Sequence, residues 1–128
     1  MVCLDRHWPR EIGPYLDLAD RVRADAPRFG PVIALSGSVC AAWPVPPQGG
    51  PKRVTAPGSP PVVVIGTTGD PATPYAWSVA LADQLSKGVL VTYRGDGHTV
   101  YREGSSKCVR DVVNHYLVTR VAPPPTTC

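Results

Sequence analysis

The chain has 128 residues, a mass of 13.6 kDa and a net charge of +3 from 13 basic and 10 acidic residues. That length suits one domain of ordinary size, and 43% hydrophobic residues exclude a disordered composition. No apolar run reaches the ~18–20 residues of a membrane helix, and no basic cluster with interleaved aromatics points to nucleic acid.

The N-terminal Met1-Val2-Cys3-Leu4-Asp5 lacks a basic stretch followed by an apolar core, so the chain as it stands is expected to carry no signal peptide. Pro14 to Ala26 is expected as a helix: Tyr15, Leu18, Ala19 and Val22 recur at helical spacing, and Pro27 stops the run. Pro31 to Pro47 is mixed in character, and residues 48–60 are rich in Gly, Pro and Ser. Three regions are expected: a helical and loop segment over 1–47, a linker over 48–60, and a regular part over 61–128. Sixteen Pro and twelve Gly make about 22% of the chain, against an average nearer ~12%, so long loops should surround a small framework.

Val62-Val63-Val64-Ile65 is a continuous β-branched run between Pro61 and Gly66, the mark of a strand covered on both faces in a parallel sheet. Pro74 to Leu85 should follow as a helix, with Trp77, Leu81 and Leu85 on its packing face and Gly88 as its stop. Val89 to Tyr93 is a second strand. Ser105 or Ser106 can cap a last helix, whose apolar stripe is Val109, Val112, Val113, Tyr116 and Leu117. The order strand, helix, strand, helix predicts an α/β fold with a right-handed crossover and a parallel sheet. The tail from Ala122 is expected to be extended.

Cys3, Cys40, Cys108 and Cys128 form no Cys-x-x-Cys pair, so zinc-finger and thioredoxin spacings are absent. Four well-separated cysteines suggest two disulfides and an oxidising compartment. Three connectivities are open from the sequence, and the local one pairs Cys3 with Cys40 and Cys108 with Cys128.

In parallel sheets, chemistry collects in loops at the carboxyl ends of the strands. Here these loops are Gly66 to Pro74, which holds Asp70, and Arg94 to Thr99, which holds His98. Adjacent parallel strands set such loops side by side, so the carboxylate and the imidazole can meet. A carboxylate on one ring nitrogen leaves the other as a base. Gly69 and Gly97 should permit the tight turns that aim the two side chains. The plain alternative is that Asp70 caps the next helix and His98 is a surface residue.

The run Val62 to Pro74 resembles the catalytic-acid segment of α/β-hydrolase fold serine peptidases, in particular the secreted tripeptidyl-aminopeptidase-like proteins of actinobacteria. Gly95-Asp96-Gly97-His98-Thr99 resembles their histidine segment. Cys108-Val109, Tyr116-Leu117 and Cys128 resemble their last helix and tail. Cys3-Leu4-Asp5, Phe29-Gly30 and Cys40-Ala41-Ala42-Trp43-Pro44 resemble the stretch between the cap region and the last two strands. The resemblance implies the C-terminal portion of an α/β-hydrolase, with the last two parallel strands, flanking helices and a cap-derived helical segment. It implies Asp70 as triad acid, His98 as triad base, the local disulfide pattern, and a secreted or envelope location. Translated from Met1 without a leader, the chain would instead be cytoplasmic.

One departure is large. The family's nucleophile is a Ser in Gly-x-Ser-x-Gly on a strand-to-helix elbow, and the 128 residues hold no such motif. The nearest strings are Ser36-Gly37-Ser38 and Gly58-Ser59-Pro60. The expected function is thus the acid- and base-bearing part of a serine hydrolase, inactive alone. The alternatives are the complementing half of a split peptidase, whose partner carries the serine, or a disulfide-stapled binding module without catalysis. No cofactor is expected. A metal at Asp70, Asp96 and His98 has no supporting ligand spacing. His7 and His115 are read as surface or packing histidines, and Trp43 and Trp77 as packing residues. Asp5 and Glu11 are weighed as partners for a substrate amino group, with surface solvation the equal alternative.

Overall fold

A computed structural model of the chain describes residues 2–128. It divides into two compact units, Met1–Lys52 and Arg53–Cys128.

The first unit is helical: α1 (Val2–Asp5), α2 (Gly13–Val22), α3 (Gly30–Ser36) and a 3₁₀ turn (Gly37–Cys40). Helix α2 buries Tyr15 and Ala19, one turn apart on the face that the spacing predicts. It ends at Val22, four residues before the expected Ala26, and beyond it only turn bonds follow, from the Arg23 N–H to the Asp20 carbonyl and from the Ala26 N–H to the Val22 carbonyl. Pro27 disfavours a helical Ala26, so the helix unwinds ahead of it. Gly30 then lets α3 approach closely, because a Cβ there would meet the Val22 side chain and carbonyl at 3.0 Å. The Cys3–Cys40 disulfide ties α1 to the 3₁₀ turn. Short α1 and α3 carry too few periodic residues to stand out in the sequence.

The second unit carries the sheet. Strand β1 spans Val62–Gly69, α4 Tyr75–Gln84, β2 Gly88–Asp96, α5 Lys107–Thr119 and β3 Thr126–Thr127. The strand order is β1-β2-β3 and both pairings are parallel. Val62 faces Gly88, and the register runs without a shift to Thr67 opposite Tyr93. Between α4, α5 and the sheet lies a core of Val64, Thr67, Ala82, Val91, Val109 and Val113, with Val91 and Val109 fully buried.

Four expectations change. Both strands run past their β-branched cores, so the loops begin at Asp70 and Gly97 rather than at Gly66 and Arg94. Gly66 serves packing there: a Cβ would lie 2.8 Å from Ser78 Cβ and 2.9 Å from the Tyr75 ring. That close fit also turns α4. Its inward face is Tyr75, Ser78, Val79 and Ala82, while Trp77 is 64% and Leu81 40% exposed. Gly88 does not cap α4, which ends at Gln84; it opens β2, where a Cβ would collide with the Ala82 carbonyl. Finally, the C-terminal tail supplies β3. Cys108–Cys128 holds it, and the Cys128 N–H donates to the Thr92 carbonyl at 2.7 Å.

Ser106, rather than Ser105, caps α5 by accepting from the Val109 N–H. In α5 the stripe narrows to Val109 and Val113 with flanking Val112 and Tyr116, and Leu117 is 61% exposed. The described helices include none long and apolar enough to cross a membrane.

Candidate active site

The site lies where β1 and β2 separate. The Gly95 N–H donates to Thr68 Oγ1 at 3.2 Å, and the Gly97 N–H donates to the Gly69 carbonyl at 3.2 Å. The register shifts between Thr67 and Gly69, which brings Gly69 opposite Asp96. A Cβ on Gly69 would strike the Asp96 carboxylate. Gly69 therefore permits a close approach and not a tight turn, since its φ is not positive; Gly97, at φ +107°, does use glycine's freedom. The residues directly after this last bond are Asp70 and His98, so parallel pairing alone delivers them side by side.

The Asp70 carboxylate lies 2.9 Å (Oδ2) and 3.2 Å (Oδ1) from His98 Nδ1. Its side chain is 8% exposed, whereas that of His98 is 54% exposed. Asp70 does not cap α4, whose N-cap is Pro74 with no side-chain bond. Instead it closes its own loop: Oδ1 accepts from the Ala72 N–H at 2.8 Å and the Thr73 N–H at 2.9 Å, and Oδ2 accepts from the Thr73 hydroxyl at 2.7 Å. These donors favour the anion. The Thr73 backbone N–H acts most strongly, then the Thr73 hydroxyl, then His98; against partial desolvation they hold the carboxyl well below the usual carboxylate range. A carboxylate fixed in this way accepts from Nδ1–H and leaves Nε2 unprotonated and able to take a proton. Among the described residues, the hydrogen bonds of His98 run through Nδ1.

His98 stands between two left-handed residues, Gly97 (φ +107°) and Thr99 (φ +67°). For a β-branched residue such as Thr99 that conformation is strained, and strain of this kind collects at functional sites. A hollow of about 270 Å³ adjoins the pair, lined by residues that include Ile65, Thr67, Thr73, Val100 and Tyr101.

Thr73 and Thr99 escape the sequence reading. A signal for Thr73 existed: Asp followed three residues later by Thr, just ahead of Pro74, is the pattern of a side-chain-closed turn. Nothing in the sequence marks the φ of Thr99.

The remaining candidates fall elsewhere. Ser36 ends α3 and donates to the Ile33 carbonyl, Ser38 lies in the 3₁₀ turn, and Ser59 closes a turn onto Ala56. None of these serines occupies a strand-to-helix elbow. No cluster able to hold a metal occurs among the described residues. Asp5 lies in α1 and Glu11 precedes α2, both exposed; His7 and His115 are exposed too. Trp43 is partly covered, and its buried indole N–H finds no partner.

A parallel sheet with flanking helices and a carboxylate–imidazole pair past adjacent strand ends define the C-terminal part of an α/β-hydrolase. Comparison with known proteins carries this to a family. The family model described as TAP-like protein matches residues 26–128, and the chain belongs to this family of serine hydrolases and peptidases. It is 44% identical over 115 residues to the serine protease Hip1 of Mycobacterium tuberculosis, covering 90% of this chain and 20% of that protein. It is 37% identical over 126 residues to carboxylesterase B of the same organism (95% and 24%) and 31% identical over 117 residues to the tripeptidyl aminopeptidase of Streptomyces lividans (91% and 22%). The chain thus spans between a fifth and a quarter of the length of these relatives.

Proposed function

We propose that this chain is the acid- and base-bearing part of a serine hydrolase, in which Asp70 orients His98 and His98 Nε2 is the general base. The observation that carries this reading is the nearly buried Asp70 carboxylate 2.9 Å from Nδ1 of a half-exposed His98. As a serine Oγ attacks a carbonyl carbon, its proton passes to Nε2; the imidazolium then hands that proton to the departing amine or alcohol as the acyl–serine bond remains. The serine and the oxyanion donors come from polypeptide outside these 128 residues, either continuous with them or in a partner chain. The open outer edge of β1 is where such a segment would complete the sheet. The names of the relatives suggest a peptide with a free N-terminus or a small ester as substrate. Two disulfides fit an oxidising compartment outside the cytoplasm.

The test uses a tripeptide p-nitroanilide and a short p-nitrophenyl ester. The 128-residue chain alone should hydrolyse neither above background, because an acid and a base without a nucleophile do not assemble the step. In a polypeptide that joins this chain to a serine-bearing segment, His98→Ala and Asp70→Asn should each lower kcat/KM by ~10⁴-fold. Robust turnover by the chain alone that disappears with His98→Ala would sink the proposal.

A further inference from the structure

We infer that Thr73 is a positioning residue of the Asp70–His98 pair, its hydroxyl holding the carboxylate in place and enforcing the Nδ1–H tautomer of His98. This rests on the acid–base reading above and adds a residue to it.

Each carboxylate oxygen of Asp70 has donors of its own apart from His98. Oδ1 takes the two backbone N–H groups of Ala72 and Thr73, and Oδ2 takes the Thr73 hydroxyl at 2.7 Å. The hydroxyl is therefore what fixes the oxygen nearest the imidazole. Without it, Oδ2 keeps only His98 and the carboxylate is free to swing about the bonds to Oδ1.

The same hydroxyl oxygen lies 3.4 Å from His98 Nδ1. A hydroxyl owns one proton and two lone pairs. With that proton committed to Asp70, it is a lone pair that faces Nδ1. The Nδ1–H tautomer then meets three acceptors, at 2.9, 3.2 and 3.4 Å. The Nε2–H tautomer would set a bare Nδ1 against three lone-pair-bearing oxygens, or draw the Thr73 proton away from Asp70. Either outcome costs a charge-assisted hydrogen bond. Branching at Cβ limits the rotamers of Thr73 and keeps its oxygen in this place.

Imidazole ¹⁵N shifts of the oxidised 128-residue chain, assigned with His98→Gln and read at alkaline pH, report the tautomer directly. Wild type and Thr73→Ser should both hold His98 mainly as Nδ1–H. Thr73→Val keeps the branching and loses the proton, and should lower the ratio of Nδ1–H to Nε2–H about fivefold, the effect of one net hydrogen bond. An unchanged ratio in Thr73→Val overturns the inference. So does an equal fall in Thr73→Ser, which would trace the effect to side-chain shape, and so does loss of amide dispersion in Thr73→Val, which would make the hydroxyl a loop-folding group. A wild type that already holds Nε2–H would instead overturn the acid–base reading itself, so the two failures are distinct.

Discussion

Asp70 and His98 acquire their relationship from the backbone before their own chemistry acts. Gly97 bonds Gly69 across the strand ends, and each side chain is the next residue along. Two consequences follow at single residues. Asp70 is held as an anion by groups that exist only in the folded loop, so its carboxyl titrates lower when folded than when unfolded. Its contribution to stability is present above the ordinary value of 3.8 and is lost as pH falls below it toward the folded value. Acid titration followed by circular dichroism should show a steeper loss below about pH 4 for wild type than for Asp70→Asn. Thr99 holds a left-handed conformation at a cost of about 1–3 kcal/mol. Thr99→Gly relieves that strain and adds about 1 kcal/mol of unfolded-chain entropy. The net result should be a modest gain in stability by urea denaturation, together with looser aim of His98, seen as broadened ring resonances.

At the level of elements, the tail is held by covalent chemistry more than by pairing. Two ladder residues make a marginal strand, and β3 has only Thr126 opposite Val91 and Thr127 opposite Thr92. Cys108–Cys128 spans 20 positions and joins the first turn of α5 to that strand, worth about 3 kcal/mol on the chain-entropy model. Replacing both cysteines by Ala should lower the unfolding free energy by about that amount and abolish amide protection at Cys128, whose N–H donates to Thr92. The partner disulfide, Cys3–Cys40, should leave this protection untouched, since it lies in the other unit.

At the scale of the molecule, β1 forms one edge of the three-stranded sheet. Among the described residues, strand β1 pairs only with β2, so its outer edge presents unpaired backbone groups on a strand of β-branched residues. Trp77, Leu117 and Val118 are exposed at 64, 61 and 84%. An open edge of β-branched residues recruits other strands, and exposed apolar residues on α4 and α5 add to the tendency to associate. The purified 128-residue chain should therefore associate as its concentration rises, with sedimentation velocity showing species beyond 13.6 kDa. A sharp monomer at every concentration would favour the self-sufficient, disulfide-stapled module instead.

How much of this was legible in the sequence depends on the range of the interaction. Val62 to Ile65 declare a buried strand, and Tyr15 and Ala19 declare a helix face, because burial repeats with the local period of the backbone. The placement of Asp70 and His98 after successive parallel strands was readable for the same reason, as was the even set of cysteines. What the tertiary structure alone decided needed distant partners. Trp77 faces outward because Gly66, nine residues before Tyr75 in the chain, admits Tyr75 and Ser78 against the sheet. Thr126 and Thr127 form a strand because a disulfide carries them to β2. Thr99 is left-handed in the loop that follows His98, and no local preference of the residue foretells a strain that its surroundings impose.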